Sequence, residues 1–464
     1  MKELTYTSNL DDTIAAIATP LGQAGLGIVR VSGKEAFFIA DKFFQGKVQP
    51  SSAATHTVHY GKIVDPRSRE TVDQVLLTVM QAPQTYTAED TVEITCHGGA
   101  LVLQKVLELA VHSGARLALP GEFTLRAFLN GRIDLAQAEA VADLISARSD
   151  SGLKMALRQL EGRLSIRIES IRAKIVHLLA ELEARIDFPD QDIQAEDKRQ
   201  IVSQMCEAEH NLQELVSTYE EGKILQEGLN VVIIGCPNVG KSSLLNLLLQ
   251  KDRAIVTPIP GTTRDVISDY ANFAGVLVRL VDTAGFRIAG DVIEIEGIKR
   301  AEAEIKKGDL ILLVIDCSAK VSEEEKILEQ KLSQQNYIVV LNKIDLVTRE
   351  EISRLKNSFS GRQLVKLSCL SEEGLPELKQ KIITGSVQVR AEAEVVISNL
   401  RHKEALERAK SALQTAKKSL EEDMSLEFAA LDVKKCLDAV GEIIGKTYTD
   451  EILNQIFSNF CIGK

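Results

Sequence analysis

Residues 229–249 read LNVVIIGCPNVGKSSLLNLLL. The run 229–234 is apolar and β-branched, the make-up of a strand buried on both faces of a parallel sheet. Next comes Gly235-Cys236-Pro237-Asn238-Val239-Gly240-Lys241-Ser242, which matches GxxxxGK[ST], and then Ser243 and the leucines of a helix. Strand, glycine-rich loop and helix in that order make a P-loop. Its glycines let successive backbone N–H groups curl around phosphates, beside a helix N-terminus that favours anions. Lys241 supplies a charge for the β- and γ-phosphates, and the Ser242 hydroxyl suits Mg²⁺. A chance glycine-rich turn is the alternative, and the flanking strand and helix argue against it.

Working outward, the runs VLVRLVD (276–282), LILLVID (310–316) and YIVVLN (337–342) are apolar in the same way. Alternating with helical stretches, they predict a mainly parallel sheet from Leu229 to about Ile383. Asp282-Thr283-Ala284-Gly285 closes one strand, with an Asp placed for the Mg²⁺ shell and the Gly285 amide for the γ-phosphate. Asn342-Lys343-Ile344-Asp345 closes another. A carboxylate at Asp345 accepts from guanine N1–H and N2–H, donors that adenine lacks, while Lys343 lays its stem over the base. The nucleotide predicted is therefore GTP. Between these elements, Gly261-Thr262-Thr263-Arg264-Asp265 reads as switch I, with Thr263 as the second Mg²⁺ hydroxyl. The fifth motif of such domains, usually Ser-Ala-Lys, is Ser368-Cys369-Leu370, which leaves Ser368 as the candidate for the last base contact. Phe286 stands where Ras-like enzymes carry the Gln that orients the attacking water, so that role falls to another group.

Upstream, 28–33, 73–79 and 91–97 read as strands, and Leu103, Val106, Leu107 and Ala110 as a helix face stopped by Gly114. Asp134 and Gln137 fit a capping box, opening a helix whose buried face is Leu135, Ala138, Ala142 and Ile145. One long amphipathic helix is expected from Leu153 to Leu182, ended by Phe188-Pro189, and a third from about Glu196 to Tyr219. After Val389 the pattern is helical again, with Ala405, Ala409, Ala412 and Ala416 on one face and further stripes from Leu426 to Ile456. These stripes need cover, and the simplest arrangement packs the block before residue 222 on the block after 390. The expected domains are thus 1–122, a discontinuous helical domain of 123–222 with 386–464, and an inserted α/β domain of 223–385.

The 464 residues carry a net charge of −11, which argues against indiscriminate nucleic-acid binding by the whole surface. Seven dispersed cysteines without a CxxC pair read as free thiols in a reducing compartment. With no signal-like segment and no membrane-length apolar run, the expectation is a cytoplasmic protein. Arg158, Arg163, Arg167, Arg172 and Lys174 suit RNA phosphates and a solvated helix face equally well, because acidic residues are interleaved among them.

The combination GCPNVGKSS, IVTPIPGTTRD, DTAGFR, NKID, PGEFTLRAFLNGRIDLAQAEAVADLI and the terminal FCIGK resembles the MnmE (also TrmE) family of tRNA-modification GTPases, over Asp12 to Lys464. That resemblance implies an N-terminal α/β domain that binds tetrahydrofolate and dimerises, a helical domain, and an inserted Ras-like G domain. It implies a homodimer working with an MnmG-type FAD protein, as a heterotetramer, on carbon 5 of the wobble uridine of certain tRNAs. The one-carbon unit would come from the 5,10-methylene or 5-formyl form of tetrahydrofolate. It further implies K⁺ held by Asn238, Thr257, Ile259 and Thr262, and Glu294 as the residue orienting the attacking water. Arg30, Glu93, Arg132 and Lys464 match the family's folate positions, with Arg132 where close relatives carry Lys, so the charge is kept and the geometry is not. Two arginines and a lysine suit glutamyl carboxylates, and Glu93 suits pterin donors. The resemblance also marks Cys461 as important for modification without fixing its chemistry. His97, before Gly98-Gly99, reads as a turn-stabilising residue. Two other readings stand beside this one: a ribosome-assembly GTPase, and a regulatory GTP switch without modification chemistry.

Overall fold

Among the described residues, the N-terminal segment holds seven strands: β1 (Ile14–Ile17), β2 (Ala24–Ser32), β3 (Phe44–Gly46), β4 (Thr57–Val64), β5 (Thr71–Met80), β6 (Thr91–Gly98) and β7 (Arg116–Leu117), of which β2, β5 and β6 alternate apolar with polar residues. They come from a computed structural model that describes residues 11–187, 195–252, 269–282, 305, 307–359, 361–386, 395–422 and 424–464. The chain divides into two units, residues 1–142 with 160–176 and 434–464, and residues 143–159 with 177–433.

The sheet of the first unit runs β3-β4-β5-β6-β2-β1-β7 and is antiparallel except for the parallel pair β1–β7. One face, with Val29, Val31, Leu77, Val79, Val92 and Ile94, packs on helices α1 (Ala36–Asp41) and α2 (Ala100–His112). The other face carries Leu26, Val58, Tyr60 and Leu76, which are 66%, 59%, 64% and 46% exposed. Helices α3 (Glu122–Leu129) and α4 (Leu135–Ser146) follow. A second core joins Leu125, Phe128, Leu135, Ala138 and Val141 to Leu453, Ile456, Phe457 and Phe460. The capping box of α4 is present: Asp134 N–H donates to Gln137 Oε1 at 3.0 Å, and Gln137 N–H to Asp134 Oδ1 at 2.8 Å. Ile145, expected on the buried face, is exposed. Beneath α3 lies an ion cluster. Arg126, 1% exposed, bonds Asp12 at 2.7 Å, Glu122 at 3.0 Å and Glu89 at 3.2 Å, and Arg116 shares Asp12 and Glu122, each at 2.6 Å.

The single long helix expected from Leu153 is two helices, α5 (Asp150–Leu160) and α6 (Arg163–Asp187). Gly162 between them takes φ +83°, a left-handed conformation that ends one helix before the next begins. The apolar spacing continues across the break, which is why periodicity alone does not show it. Likewise the third helix stops at Ser217 as α7 (Ala195–Ser217), and α8 (Tyr219–Glu227) restarts two residues on.

In the second unit, β8 (Leu229–Ile234), β9 (Asp269–Phe273), β10 (Val276–Asp282), β11 (Leu310–Asp316), β12 (Tyr337–Asn342) and β13 (Gln363–Lys366) lie in the order β13-β12-β11-β8-β10-β9. All pairs are parallel except β9–β10. Val231, Ile233, Leu312 and Val340 face one core and Val232, Ile311, Leu313 and Val339 the other, as strands covered on both sides require. The helices are α9 (Lys241–Asp252), α10 (Glu323–Lys331), α11 (Arg349–Ser358) and α12 (Leu375–Ser386). Helix α7 packs along α13 (Leu400–Glu421), with Lys410 Nζ donating to Gln213 Oε1 and Gln414 Nε2 to Glu209 Oε1, both at 2.6 Å. On α13, Ala405, Ala409, Leu413 and Ala416 are buried, while Ala412 is only half-buried. Two further helices, α14 (Leu426–Ile444) and α15 (Asp450–Phe457), end the chain. Among the described residues no helix is long and apolar enough to cross a membrane.

Candidate functional site

The P-loop leaves β8 at Ile234 and enters α9 at Lys241, at the carboxyl edge of the parallel strands where α/β sheets hold ligands. Gly235 and Gly240 take φ +152° and +99°. A Cβ on Gly235 would overlap the Val314 carbonyl, and one on Gly240 the Asn342 side-chain nitrogen, so only glycine fits. Asn238 is exposed with φ +64°, a left-handed conformation that asparagine tolerates, while Val239 is buried. Lys241 Nζ donates to the Gly235 and Cys236 carbonyls, both at 2.8 Å, so the ammonium curls back over the loop. Ser242 and Ser243 are exposed on the first turn of α9.

Asn342 closes the same corner from β12. It is 1% exposed; its Nδ2 donates to the Val239 carbonyl at 2.8 Å, and its Oδ1 accepts from the Cys369 N–H at 3.3 Å. Lys343, with φ +64°, donates to the Asn238 carbonyl at 3.0 Å and pairs with Asp316 at 2.5 Å. Burial pushes the Asp316 carboxyl up, but the Lys343 ammonium and the Ser318 hydroxyl and amide outweigh it and hold it below the usual carboxylate range. Asp345 is exposed, and buried Ser368 accepts from the Ser371 N–H at 3.1 Å. Burial pushes the Cys369 thiol up to about 11, against a hydrogen bond from the Asn342 side chain. Three motifs far apart in sequence thus form one bonded corner. Sequence reasoning missed Asp316, which the parallel pairing of β11 with β12 brings level with Asn342.

Asp282 is the last residue of β10, its backbone in register with Ile233 at the same sheet edge. Thr257, Pro258, Ile259, Pro260, Gly261, Thr262, Thr263, Thr283, Ala284, Gly285, Phe286 and Glu294 lie outside the described residues, as does the side chain of Asp282.

In the first unit, Arg30 and Glu93 face each other across β2 and β6. Arg30 Nε and Nη2 bond Glu93 Oε1 at 2.8 and 2.7 Å, and Nη1 donates to the Gly463 carbonyl at 3.2 Å. The guanidinium lies 5.7 Å from the Tyr86 ring centre and 5.5 Å from that of Phe123, within cation–π range. Burial pushes the Tyr86 phenol up, against a 2.9 Å bond to Thr124 and the charges of Arg30 and Arg132. Arg132 itself is exposed. Burial and the Arg30 charge hold the Lys464 ammonium below its ordinary range, with Glu93 opposing. Arg30, Glu93 and Lys464 therefore stand together, with Arg132 in electrostatic reach of Tyr86; Cys461 is exposed on the same terminal turn. Sequence reasoning missed Tyr86, Phe123, Thr124 and Gly463, although PGEFT and FCIGK contain three of them. His97 is apart from this group: Asp73 bonds its Nδ1 at 2.7 Å and its backbone N–H at 2.8 Å, fixing a strand end. Of the basic residues on α5 and α6, Arg163 and Arg172 pair with Glu161 and Glu169 at 3.9 and 3.3 Å, and Arg158, Arg167 and Lys174 also have partners.

The chain matches the family model described as the MnmE helical domain over residues 135–461, and that described as the GTP-binding protein TrmE N-terminus over residues 13–132. It is 46% identical over 460 residues to tRNA modification GTPase MnmE of Bacillus subtilis, covering 98% of this chain and 100% of that one. The same protein of Bacillus pumilus is 45% identical over 460 residues, with the same coverage. That of Acetivibrio thermocellus is 43% identical over 456 residues, covering 98% of this chain and 99% of its own length. Likeness at this level running almost end to end, over a chain that carries both the P-loop corner and the Arg30–Glu93–Lys464 cluster, means that this chain belongs to the MnmE (TrmE) family of tRNA modification GTPases.

Proposed function

We propose that the chain binds and hydrolyses GTP through its 223–385 domain and uses that cycle to drive modification of a wobble uridine in tRNA. The observation that carries the nucleotide assignment is the bond from buried Asn342 to the Val239 carbonyl, which makes the phosphate loop and the guanine reader one rigid corner. Its chemistry fits a guanine nucleotide: glycines whose Cβ positions are filled by neighbouring atoms, a lysine poised over the loop, and an exposed carboxylate at Asp345. Ser242 with Thr263 would hold Mg²⁺, and Asn238 with Thr257, Ile259 and Thr262 would hold K⁺. These cations supply charge neutralisation on the transferring phosphate. Glu294 is the residue proposed to orient water.

In the same reading, residues 1–122 bind a tetrahydrofolate derivative and dimerise, and 123–222 with 386–464 form the helical domain. Arg30, Arg132 and Lys464 suit carboxylates, and Glu93 suits amidine-like donors. The folate supplies a one-carbon unit, and the side chains around it bind and orient it. The exposed apolar face of Leu26, Val58, Tyr60 and Leu76 supports a second copy as partner, because water-facing residues of this kind on one sheet face mark interfaces. An MnmG-type flavoprotein and tRNA complete the proposed cytoplasmic complex, with Cys461 part of the modification chemistry. The test is deletion of the gene followed by mass spectrometry of the wobble uridine. Aminomethyl-type substituents vanish and return with the intact gene but not with Cys461→Ser. Substituents that persist without the gene overturn the reading. Purified protein should release phosphate from GTP faster in KCl than in NaCl.

A further inference from the structure

We propose that Gly463 and Gly121 are positioning residues of the tetrahydrofolate subsite, forming a two-point backbone clasp that seats the FCIGK segment against the N-terminal sheet beside Arg30. This inference rests on the folate reading above and adds residues to it. At the first point, the Gly121 N–H donates to the Cys461 carbonyl at 3.4 Å. Gly121 has φ +67°, and a Cβ there would lie 2.8 Å from the Phe457 carbonyl and 3.0 Å from Phe460 Cβ. At the second point, Gly463 has φ +94°, and a Cβ would overlap the Ile17 carbonyl and lie 2.8 Å from Ala18 Cα, so the segment touches the end of β1 backbone to backbone. The Gly463 carbonyl accepts from Arg30 Nη1 at 3.2 Å, and the Lys464 N–H closes a turn onto the Cys461 carbonyl at 3.4 Å.

The geometry explains why two motifs some 340 residues apart both hold a glycine at a left-handed position: each needs a bare Cα where the two backbones meet. It also separates anchoring from chemistry. Phe457 and Phe460 are buried and hold the preceding helix, whereas Cys461 and Ile462 are exposed, so hydrophobic packing does not place the last four residues. Backbone fit at Gly121 and Gly463 does. Arg30 acts in two ways, fixing the turn through Gly463 and presenting its remaining donors, set by Glu93, to a ligand. Without the clasp, Lys464 leaves the neighbourhood of Arg30 and Glu93, and the Cys461 thiol loses its fixed place.

The experiment uses the full chain as Gly463→Ala, Gly121→Ala and the matched control Ile462→Ala, whose side chain is 61% exposed and outside the clasp. Three quantities are read: affinity for 5-formyltetrahydrofolate by calorimetry, the alkylation rate of Cys461 by peptide mass mapping after iodoacetamide, and GTP hydrolysis. Both glycine variants should lose at least tenfold in folate affinity and alter the Cys461 alkylation rate at least threefold, with GTP hydrolysis at the parent's value, all read at a temperature where circular dichroism shows each variant folded. Ile462→Ala should match the parent throughout. Parent-like affinity and alkylation in Gly463→Ala overturn the clasp, and that variant decides the matter if Gly121→Ala does not fold. If the parent itself binds no folate, the folate reading fails, and the alkylation rates alone then judge the clasp by the same threshold.

Discussion

Replacing Asn342 with alanine tests whether the P-loop and the guanine reader are one mechanical part. Its side chain is 1% exposed and spans two loops, with one bond of 2.8 Å to the Val239 carbonyl and one of 3.3 Å from the Cys369 N–H. Truncation deprives both backbone groups of that partner. A buried polar group left unpaired costs about 1–3 kcal/mol, so two cost about 2–6 kcal/mol if neither relaxes. In the free protein the loops can shift toward water and recover part of this. With nucleotide bound, the phosphates and the base hold both loops in place and the recovery is lost. The difference, about 2–3 kcal/mol, appears as affinity, which is a loss of roughly 30- to 150-fold. Titration with a fluorescent GDP analogue reads it directly, with circular dichroism as a check on folding. A folded Asn342→Ala protein that binds GDP within threefold of the parent would mean that the corner is held by other contacts.

Further expectations concern charge. Asp345→Asn exchanges an acceptor for a donor at the base, so affinity should move from GTP toward XTP by more than tenfold in competition binding. Asp316 is held below the ordinary carboxylate value of 3.8 by Lys343 and Ser318, so its contribution to stability is full above that value and lost as pH falls through the lower folded one. The gap in urea midpoint between the parent and Asp316→Asn should accordingly be open at pH 7 and shrink below about pH 4. Arg126→Met leaves Asp12, Glu89 and Glu122 without the buried guanidinium that joins them. Breaking a buried ion cluster from one side costs about 3–5 kcal/mol, which urea unfolding of the first unit should show as an early transition.

The nucleotide corner is legible in the sequence because each of its parts is local: a glycine spacing, a strand, a terminal Asn-Lys-x-Asp. What joins the parts is not, since the Val239–Asn342 and Asp316–Lys343 contacts depend on the order of strands in the sheet. Strand β4 escapes a sequence reading because TVHYGKIV mixes histidine, glycine and lysine into its pattern, and its apolar Val58 and Tyr60 point to the uncovered face. The break at Gly162 is hidden by leucines that keep their spacing on both sides of it. Arg126 looks like an ordinary helix charge, and only burial beside three carboxylates reveals its role. In the Arg30–Glu93–Lys464 cluster the charged residues carry a sequence signal, whereas Tyr86, Phe123 and Gly463 join it through the fold alone.

The core that joins Leu125, Phe128, Leu135 and Val141 to Leu453, Ile456, Phe457 and Phe460 sets a timetable for synthesis. Its first half leaves the ribosome some 310 residues before its second half. At about 5–20 residues per second, that is an interval of roughly 15–60 s. The β8–β13 sheet, whose strands all lie within that interval, can finish folding first, while an apolar helix face waits uncovered for its last partners. Nascent chains stalled just short of residue 450 would be the form most exposed to chaperones and proteases, and the helices beside the N-terminal sheet would be completed only as the final helix arrives.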